Sequence, residues 1–569
     1  MLKMQTERYL SRILSFGAFS VSIFILWAIV TDPVNVTKHF LLGVFATSAL
    51  IVSQIFGFKQ LWRDCKVAIL LAALFLIFSL SAVFNSSSPS IQNFYGSFGR
   101  NTGFVAYLFL TLIFVSTLVL RRSESFESLI KSLLLAGLVN VVYCLWAWQV
   151  GDFVGWSNPF NTILGTFGNP DFIGAFLGIF ASVLVAYLFS EKVKLWLRIS
   201  GVAILIVTAI EIKHSHAIQG IVVAAGGIAL VLFYAIRSKF KSNIPSILYA
   251  VFVSMTGVFA IAGALQKGPL SQYIYKTSVT LRGEYWNAGI NMARKFPLTG
   301  VGMDTYGDWY RMMRRDSALV LPGPEVVSNA AHNVNIDILA SGGWPLFIAY
   351  LALIAITIIS ILKATFRSKN YDWVLVSLTV GWVCYQVQAL ISINQIGLAI
   401  WGWLFSGAII AYEISTREKI ETKNSNSIPS TSYKAGYQGE NLSPQLLASI
   451  GLVIGGLLAV PPLSADMKWS AAVKSGKVAN VEAALKPGYL NPPNVYKYLQ
   501  AAQLFEANKL PDLAYKYSKI AVDFNPNNFD SWKLFYYISK SSSADKDLAL
   551  QNMRRLDPKN NKILDRPTS

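Results

Sequence analysis

Long apolar runs separated by short polar stretches dominate the chain. A helix needs ~20 mostly apolar residues to cross the hydrocarbon core of a bilayer, and hydropathy in windows of ~19 residues finds about thirteen such runs. They cover residues 12–30, 39–56, 67–84, 104–120, 130–150, 172–189, 198–212, 218–236, 246–264, 342–363, 373–391, 394–412 and 446–463. The pattern therefore predicts an all-α, polytopic helical membrane protein with about 12–13 transmembrane helices.

Lysine and arginine in the short loops predict the orientation, because cytoplasmic loops carry an excess of these residues. Clusters of them precede the first run and then recur in alternate loops, all on one side of the membrane. The clusters are Arg8 and Arg12; Lys59, Arg63 and Lys66; Arg121 and Arg122; Lys192, Lys194 and Arg198; Arg237, Lys239 and Lys241; and Lys363, Arg367 and Lys369. We therefore expect a multi-pass plasma-membrane protein with its amino terminus in the cytoplasm and its carboxyl-terminal region outside.

Polar segments divide the chain into domains. The membrane domain, 1–412, contains a large external loop at about 266–341, whose aromatic content argues against disorder. A Ser-, Asn- and Lys-rich stretch at 413–445 is typical of a cytoplasmic linker. A further transmembrane helix at 446–463 then leads to an extracytoplasmic helical domain at 464–569.

The carboxyl-terminal domain carries a weak internal repeat. Pro492, Pro526 and Pro558 recur at a period of about 34 residues, with helical patterns between them. Ala514 and Tyr517 occupy positions that suit a tetratricopeptide-type helix pair. The alternative is an ordinary small helical bundle. Either structure would serve as a binding or assembly module, and repeat helices in particular form concave surfaces for a protein partner.

Composition supports the membrane class. Of the 569 residues, 54% are hydrophobic and only 14% are charged, which is too apolar for a soluble protein. The net charge of +19 is largely the cytoplasmic loop signal and forms no groove with interleaved aromatic residues, so it does not indicate a nucleic-acid partner. None of the three cysteines falls on the outer side, so no external disulfide is expected.

External loops hold few charges, and the bases among them are candidates for anion binding. Arg100, Lys213, Arg282, Arg294 and His332 can all lie near the outer interface. Arginine suits a lipid-linked phosphate or pyrophosphate because its planar fork binds two phosphate oxygens at once. The alternative for each base is a snorkelling side chain or a structural ion pair. Arg282 and Arg100 are the stronger candidates, since both lie among glycines and aromatic residues.

His332 is the candidate general base. An ordinary histidine has a pKa near 6.5 and accepts a proton at neutral pH; the alternative is a loop-capping histidine. His214 and His216 are weaker candidates, and His39 is expected at the membrane interface. The chain has no HxxxH or CxxC motif, no Walker A sequence, no Rossmann glycine fingerprint and no GxSxG elbow. We therefore expect no metal and no cofactor, and neither nucleotide use nor serine hydrolysis.

Three stretches on the predicted outer side carry a resemblance to a known family. They are "GTFGNPDFIGAFL", "LRGEYWNAGINMARKFPLTGVGMDTY" and "AHNVNIDILASGGWPLFIAYL". The second contains an Arg-x-x-x-Trp pattern at Arg282 and Trp286, and the third contains a His-Asn pair at His332 and Asn333 ahead of two glycines. In these features, over roughly residues 90–410, the chain resembles the O-antigen ligase and polymerase family of bacterial membrane glycosyltransferases.

The resemblance implies a GT-C-like membrane fold and a metal-independent transfer of a glycan. The donor would be a polyprenyl-pyrophosphate-linked glycan, the acceptor a hydroxyl on a lipid or protein, and membrane lipids would surround the enzyme. His332 would be the catalytic base, and Arg282 and Arg100 would hold the pyrophosphate. Trp286 and Asn333, which belong to the same motifs, would also bind the substrate. Family members often have arginine where this chain has His216, which puts phosphate contact by that turn in doubt, or leaves it to Lys213.

Several functions remain compatible with the sequence. A ligase moves a finished glycan to a lipid or protein, whereas a polymerase joins lipid-linked repeat units. A polyprenyl-linked glycan transporter or flippase would need charged or broken helices near the bilayer midplane, but the predicted spans are poor in charge. An envelope assembly scaffold would not need the external Arg and His residues.

Overall fold

The computed structural model describes residues 2–155, 158, 161–274, 277–368, 370–424 and 443–563, and in these ranges the regular structure is helical. The membrane-embedded part contains α1 (Leu2–Ile23), α2 (Asn35–Ser53), α3 (Phe58–Asn85), α4 (Ser90–Tyr95), α5 (Phe104–Thr117), α6 (Ser123–Gln149), α7 (Pro170–Leu188), α8 (Leu195–His214), α9 (Ile218–Lys239) and α10 (Ile244–Ala264). An outer segment then carries α11 (Ser271–Ile274), α12 (Thr277–Lys295), α13 (Tyr306–Met313) and α14 (Ser317–Val320). There follow α15 (Val334–Arg367), α16 (Trp373–Ala389), α17 (Ile396–Asn424), α18 (Pro444–Ser475), α19 (Val478–Ala484), α20 (Val495–Ala507), α21 (Pro511–Phe524), α22 (Phe529–Tyr537) and α23 (Ser543–Leu556).

Ten of the described helices are long and apolar enough to cross a membrane: α2, α3, α6 to α10, α15, α17 and α18. The sequence pattern predicts about thirteen, and the difference lies in α1, α5 and α16. The apolar helices α5 and α16 fall below the length of a full span. Helix α1 ends at Ile23, so the predicted run 12–30 extends past its end into a stretch without helix. The chain is a multi-pass, all-α membrane protein.

Helix α15 breaks where the outer segment meets the membrane helices. Gly343 has a φ of 67°, outside the helical region, and Pro345 follows it. The break leaves backbone groups of α15 without hydrogen-bond partners inside the helix. The "PLTGVG" turn at residues 297–302 provides these partners. The backbone N–H groups of Val301 and Gly302 donate to the carbonyls of Ala340 and Ser341, at 2.9 and 3.0 Å, and Pro297 accepts from the backbone N–H of Trp344 at 2.8 Å. This turn is thus fixed directly onto a membrane helix.

Gly300 shows why the turn needs glycine. Its φ is +62°, a left-handed conformation that side chains rarely adopt. A Cβ at this position would lie 2.4 Å from the backbone oxygens of Ala340 and Ser341. No other residue would allow the turn to approach α15 so closely.

The outer segment has a small core of its own. Tyr306, Trp309 and Tyr310 on α13 are buried against Ala288 and Met292 on α12. The aromatic residues that predict an ordered loop therefore form its interior. Tyr306 and Trp309 are 3% and 8% exposed, so neither ring is free to stack on a ligand.

Helix α18 continues without a break into the carboxyl-terminal part. It runs through Pro461 and Pro462 to Ser475, past the predicted boundary at 464. Beyond it, α20 packs on α21 and α22 packs on α23, and Ala514, Tyr517 and Ala521 are buried in that packing. The tetratricopeptide assignment stays a prediction.

The carboxyl-terminal helices dock on the outer segment. Asp557 accepts hydrogen bonds from Arg314, at 2.7 and 2.6 Å, and from Arg311 at 3.2 Å. Asn525 donates to Asp308 on α13 at 3.0 Å. The segment between α10 and α15 and the helices that follow α18 therefore lie on the same face of the protein.

Candidate functional site

His332 lies in a short, tightly held segment at the start of α15. Asn333 caps the helix, because its side-chain oxygen accepts from the backbone N–H groups of Asn335 and Ile336. One turn later, Asp337 accepts a hydrogen bond from the backbone N–H of Ala331 at 2.6 Å. The histidine between these two anchors has a φ of +53°. Contacts on both sides thus fix the position of the imidazole.

Two arginines from distant parts of the chain face His332. Burial, followed by the positive charges of Arg282 and Arg100, lowers the pKa of His332 to about 4. The ring of Tyr285, one turn after Arg282 on α12, lies 5.4 Å from the imidazole ring at an interplanar angle of 33°. The histidine is therefore neutral at pH 7 and lies in a positive environment.

The outer segment orients Arg100. Its Nε lies 3.2 Å from an Asp304 oxygen, and its Nη1 donates to the carbonyl of Asn329 at 2.7 Å. The other Asp304 oxygen accepts from the backbone N–H groups of Ser97 and Thr102, at 2.9 and 3.2 Å. Asp304 thus bridges the Arg100 loop and the outer segment, and it places the guanidinium beside the residues that precede His332.

Arg282 is less restrained. Burial lowers its pKa, and the nearby carboxylate of Asp171 opposes that effect. No residue that the structure describes accepts a hydrogen bond from its guanidinium or forms an ion pair with it within 4.0 Å. A half-buried arginine with open donors is suited to an anionic ligand.

The first turns of α7 and α9 pack against each other, and Asp171 of α7 acts electrostatically on Arg282. Asn169 caps α7 by accepting from the backbone N–H of Asp171 at 2.8 Å, and Pro170 occupies the first helical turn. The backbone carbonyl of Asp171 accepts a hydrogen bond from Gln219 on α9. A Cβ at Gly220 would lie 2.7 Å from the carbonyl oxygen of Gly174, so α7 and α9 pack closely here. This packing places Asp171 at the outer end of both helices.

The remaining sequence candidates lie in different surroundings. Lys213 and His216 are exposed on the turn between α8 and α9 and form no hydrogen bond or ion pair with the groups around His332. Their neighbour His214 stacks on Trp148 with ring centroids 4.1 Å apart. Trp286 is partly buried against the core of the outer segment, and its indole N–H has no acceptor among the described residues.

Sequence reasoning missed three carboxylates at the site: Asp171, Asp304 and Asp337. Asp337 lies within electrostatic range of Arg100, and its second oxygen is buried without a donor among the described residues. Each of the three lies inside one of the motif stretches quoted above, where acidic residues are scarce. Their isolation among uncharged residues was the feature of the sequence that could have marked these carboxylates as site residues. The described residues contain no group of three or more His, Cys, Asp or Glu side chains arranged to hold a metal ion.

A family model described as O-antigen ligase matches residues 215–351. This part of the chain is similar to the O-antigen ligase family. The O-antigen ligase domain includes Arg282, Trp286, His332, Asn333 and His216, whereas Arg100 and Lys213 lie outside it. No curated protein matches the chain. The match supports a membrane glycosyltransferase of the O-antigen ligase or polymerase type in general.

Proposed function

We propose that the protein transfers a glycan from a polyprenyl-pyrophosphate carrier to an acceptor hydroxyl, without a metal ion, at the outer face of a bacterial plasma membrane. The observation that carries the proposal is the convergence of Arg282, Arg100 and His332. These three groups come from separate parts of the chain and interact electrostatically in one place. The open guanidinium of Arg282 is the group that a pyrophosphate would engage first.

His332 takes the proton in the proposed reaction. The acceptor oxygen attacks the anomeric carbon of the glycan, and the bond from that carbon to the pyrophosphate oxygen breaks. The polyprenyl pyrophosphate leaves with the electron pair, while His332 accepts the hydroxyl proton. Arg282 and Arg100 stabilise the negative charge that develops on the leaving group.

The low pKa of His332 is consistent with a base whose pKa rises when the substrate binds. In the free enzyme two arginines favour the neutral imidazole. A bound pyrophosphate offsets both positive charges, so it raises the pKa of the histidine and makes it a stronger base. The proton-accepting ability of His332 would thus increase when the donor is in place.

The docking of the carboxyl-terminal helices supports the proposed orientation. Asp557 and the outer segment contact each other directly, so both lie on the side of the membrane that carries His332. The proposed domains are a catalytic membrane domain at 1–412, a cytoplasmic linker at 413–445, a further transmembrane helix, and an extracytoplasmic helical domain. Most of the linker lies outside the described residues.

The test is glycan transfer by full-length protein reconstituted with a membrane extract that contains polyprenyl-pyrophosphate glycans. We expect His332→Ala to lower the rate by ~10²–10⁴-fold and Arg282→Ala to lower it by about 10–100-fold. Two matched controls are available. His214→Ala removes a histidine that stacks on Trp148, and Arg294→Ala removes an exposed arginine from the same helix as Arg282.

Transfer that persists in His332→Ala would remove the base assignment, and equal losses in Arg282→Ala and Arg294→Ala would remove the pyrophosphate assignment. The product separates the two members of the family: a glycan on a lipid or protein identifies a ligase, and a lengthened carrier-linked glycan identifies a polymerase. Wild-type protein that moves carrier-linked glycan between leaflets without forming a new bond would indicate a flippase instead.

A further inference from the structure

A cavity with both polar and apolar lining residues lies between the membrane domain and the carboxyl-terminal helices. It has a volume of about 280 Å³, close to the lower end of the ~300–1,000 Å³ range of small-molecule sites. One wall comes from α4 and the loop that leads to Arg100, a second from α13, and a third from the start of α20 with the "NPPN" sequence before it. No part of the proposed reaction uses this cavity.

The lining has the chemistry that recognises hydroxyl groups. Amide side chains are part of the lining, including those of Gln92, Asn101 and Asn528, and an amide both donates and accepts, as a hydroxyl does. Asn101 is only 4% exposed, and its side-chain oxygen has no donor among the described residues. A ligand hydroxyl in the cavity would supply such a donor.

Aromatic rings complete the wall. Phe98 stacks on Tyr496 with ring centroids 4.7 Å apart and an interplanar angle of 10°. Tyr496 is nevertheless 41% exposed, and it lines the cavity. A partly exposed aromatic ring beside amides and carboxylates suits a sugar ring, which has apolar C–H faces and a rim of hydroxyls.

The charge of the lining excludes a pyrophosphate. Three carboxylates, on Asp308, Asp466 and Asp530, face the cavity, and Lys497 is the single base there. The ammonium group of Lys497 already donates to the backbone carbonyl of Ala465 at 2.6 Å. An anion would therefore be repelled, whereas an uncharged ligand would not.

The cavity adjoins the proposed reaction centre without overlapping it. Asn101 is the next residue after Arg100, and Asn329 both lines the cavity and accepts a hydrogen bond from Arg100 through its backbone carbonyl. Asn329 is also three residues before His332. A glycan whose reacting end lies at Arg100 and His332 could extend one of its sugar residues into this space.

We propose that the cavity is a binding subsite for an uncharged sugar residue, formed jointly by the membrane domain and the carboxyl-terminal helices. It rests on the proposed function for the identity of the glycan. The sugar belongs either to the carrier-linked donor or to a glycosylated acceptor, and kinetics distinguish the two. The carboxyl-terminal helices are therefore part of the substrate site.

The test measures binding apart from transfer. Glycan is released by mild acid from the polyprenyl-pyrophosphate fraction of the native membrane and titrated calorimetrically into full-length protein in nanodiscs; inorganic pyrophosphate is titrated in parallel. We expect Tyr496→Ala to raise the Kd for the glycan about 2–10-fold and leave that for pyrophosphate unchanged, while Arg282→Ala does the reverse. Asp530→Asn should also weaken glycan binding, and Tyr496→Phe, which keeps the ring, should not.

Tyr537→Ala and Asp547→Asn are matched controls, because they remove an exposed tyrosine and an exposed aspartate of the same helices away from the cavity. An equal melting temperature for each variant shows that it is folded. The subsite is overturned if wild-type protein does not bind the released glycan, or if the cavity variants and the controls have the same Kd.

Transfer kinetics then assign the source of the sugar. A rise in KM for the carrier-linked donor in Tyr496→Ala places the donor in the cavity, and a rise in KM for the acceptor places the acceptor there. Failure of the subsite and failure of the proposed function remain distinguishable. Binding through Tyr496 without any transfer refutes the transferase alone, whereas normal transfer with unchanged binding in the cavity variants refutes the subsite alone.

Discussion

The buried ion pair between Asp557 and two arginines predicts how firmly the carboxyl-terminal helices are attached. Asp557 and Arg314 have fully buried side chains, and that of Arg311 is 6% exposed. The carboxylate of Asp557 thus receives three hydrogen bonds from the two arginines, from 2.6 to 3.2 Å. Asp557→Asn keeps the shape of this side chain but removes its charge, so two buried guanidinium groups lose their counter-ion.

The burial of these side chains sets the expected loss of docking free energy. Breaking a buried ion pair by removing one partner costs ~3–5 kcal/mol, because an uncompensated charge stays in the interior. That cost corresponds to about two to four orders of magnitude in the docking equilibrium. Lys533 and Glu325 provide a control at the same interface. They are 3.2 Å apart but 42% and 43% exposed, so Lys533→Ala should cost only ~0–1 kcal/mol.

Hydrogen exchange in nanodiscs measures the effect. In Asp557→Asn we expect amides of α13 and of α22 to exchange at least about tenfold faster, while those of α7, away from the interface, keep their wild-type rates. Lys533→Ala should leave all three helices unchanged. Equal exchange in Asp557→Asn and Lys533→Ala would refute the reasoning, because it would show that burial does not decide the strength of these contacts.

Three further predictions concern the site. Because the pKa of His332 is lowered to about 4, its active neutral form persists in acid, and kcat/KM should fall only below about pH 5. Arg282→Gln removes one positive charge, so it should move this acidic fall in kcat/KM to higher pH. A fall centred near pH 6.5 in the wild-type protein would contradict the environment described. Gly300→Ala should destabilise the protein by more than ~1–3 kcal/mol, seen as a lower melting temperature, whereas Gly226→Ala, with open space around its Cα, should not. Lys213→Ala should change transfer by less than about 2-fold; a tenfold loss would assign this exposed lysine to the phosphate.

Much of the membrane architecture could be predicted from the sequence, since an apolar run long enough to cross a bilayer has few other structures open to it. The exceptions have physical causes. Helix α1 ends at Ile23 although the apolar run continues, and the following residues instead contact α18: Asp466 accepts from the backbone N–H groups of Thr31 and Asp32, at 2.9 Å each. This contact joins residues far apart in sequence, and hydropathy carries no information about it.

The sequence indicated the basic residues of the candidate site but not its acidic residues. Arg100, Arg282 and His332 stood out because the external loops have few charges, and the structure brings them together. Asp304 could not be assigned in the same way. Its role depends on a left-handed φ of 55° and on its distance to Arg100, and both follow from the docking of the "PLTGVG" turn on α15. Local sequence pattern thus draws attention to isolated charged residues, whereas tertiary contacts determine which of them pair.

The contacts form a continuous path from the carboxyl-terminal helices to His332. Asp557 holds Arg314 just after the end of α13, and Asn525 holds Asp308 in the first turn of the same helix. Asp304, two residues before α13, forms the ion pair with Arg100, and Arg100 acts on the pKa of His332. Because the carboxyl-terminal helices contact α13 at both of its ends, a displacement of these helices should also displace the residues next to α13. Separation of the carboxyl-terminal helices should therefore shift Arg100 and lower transfer even though they contribute no catalytic group, so in Asp557→Asn the loss of activity and the faster exchange of α13 should appear together.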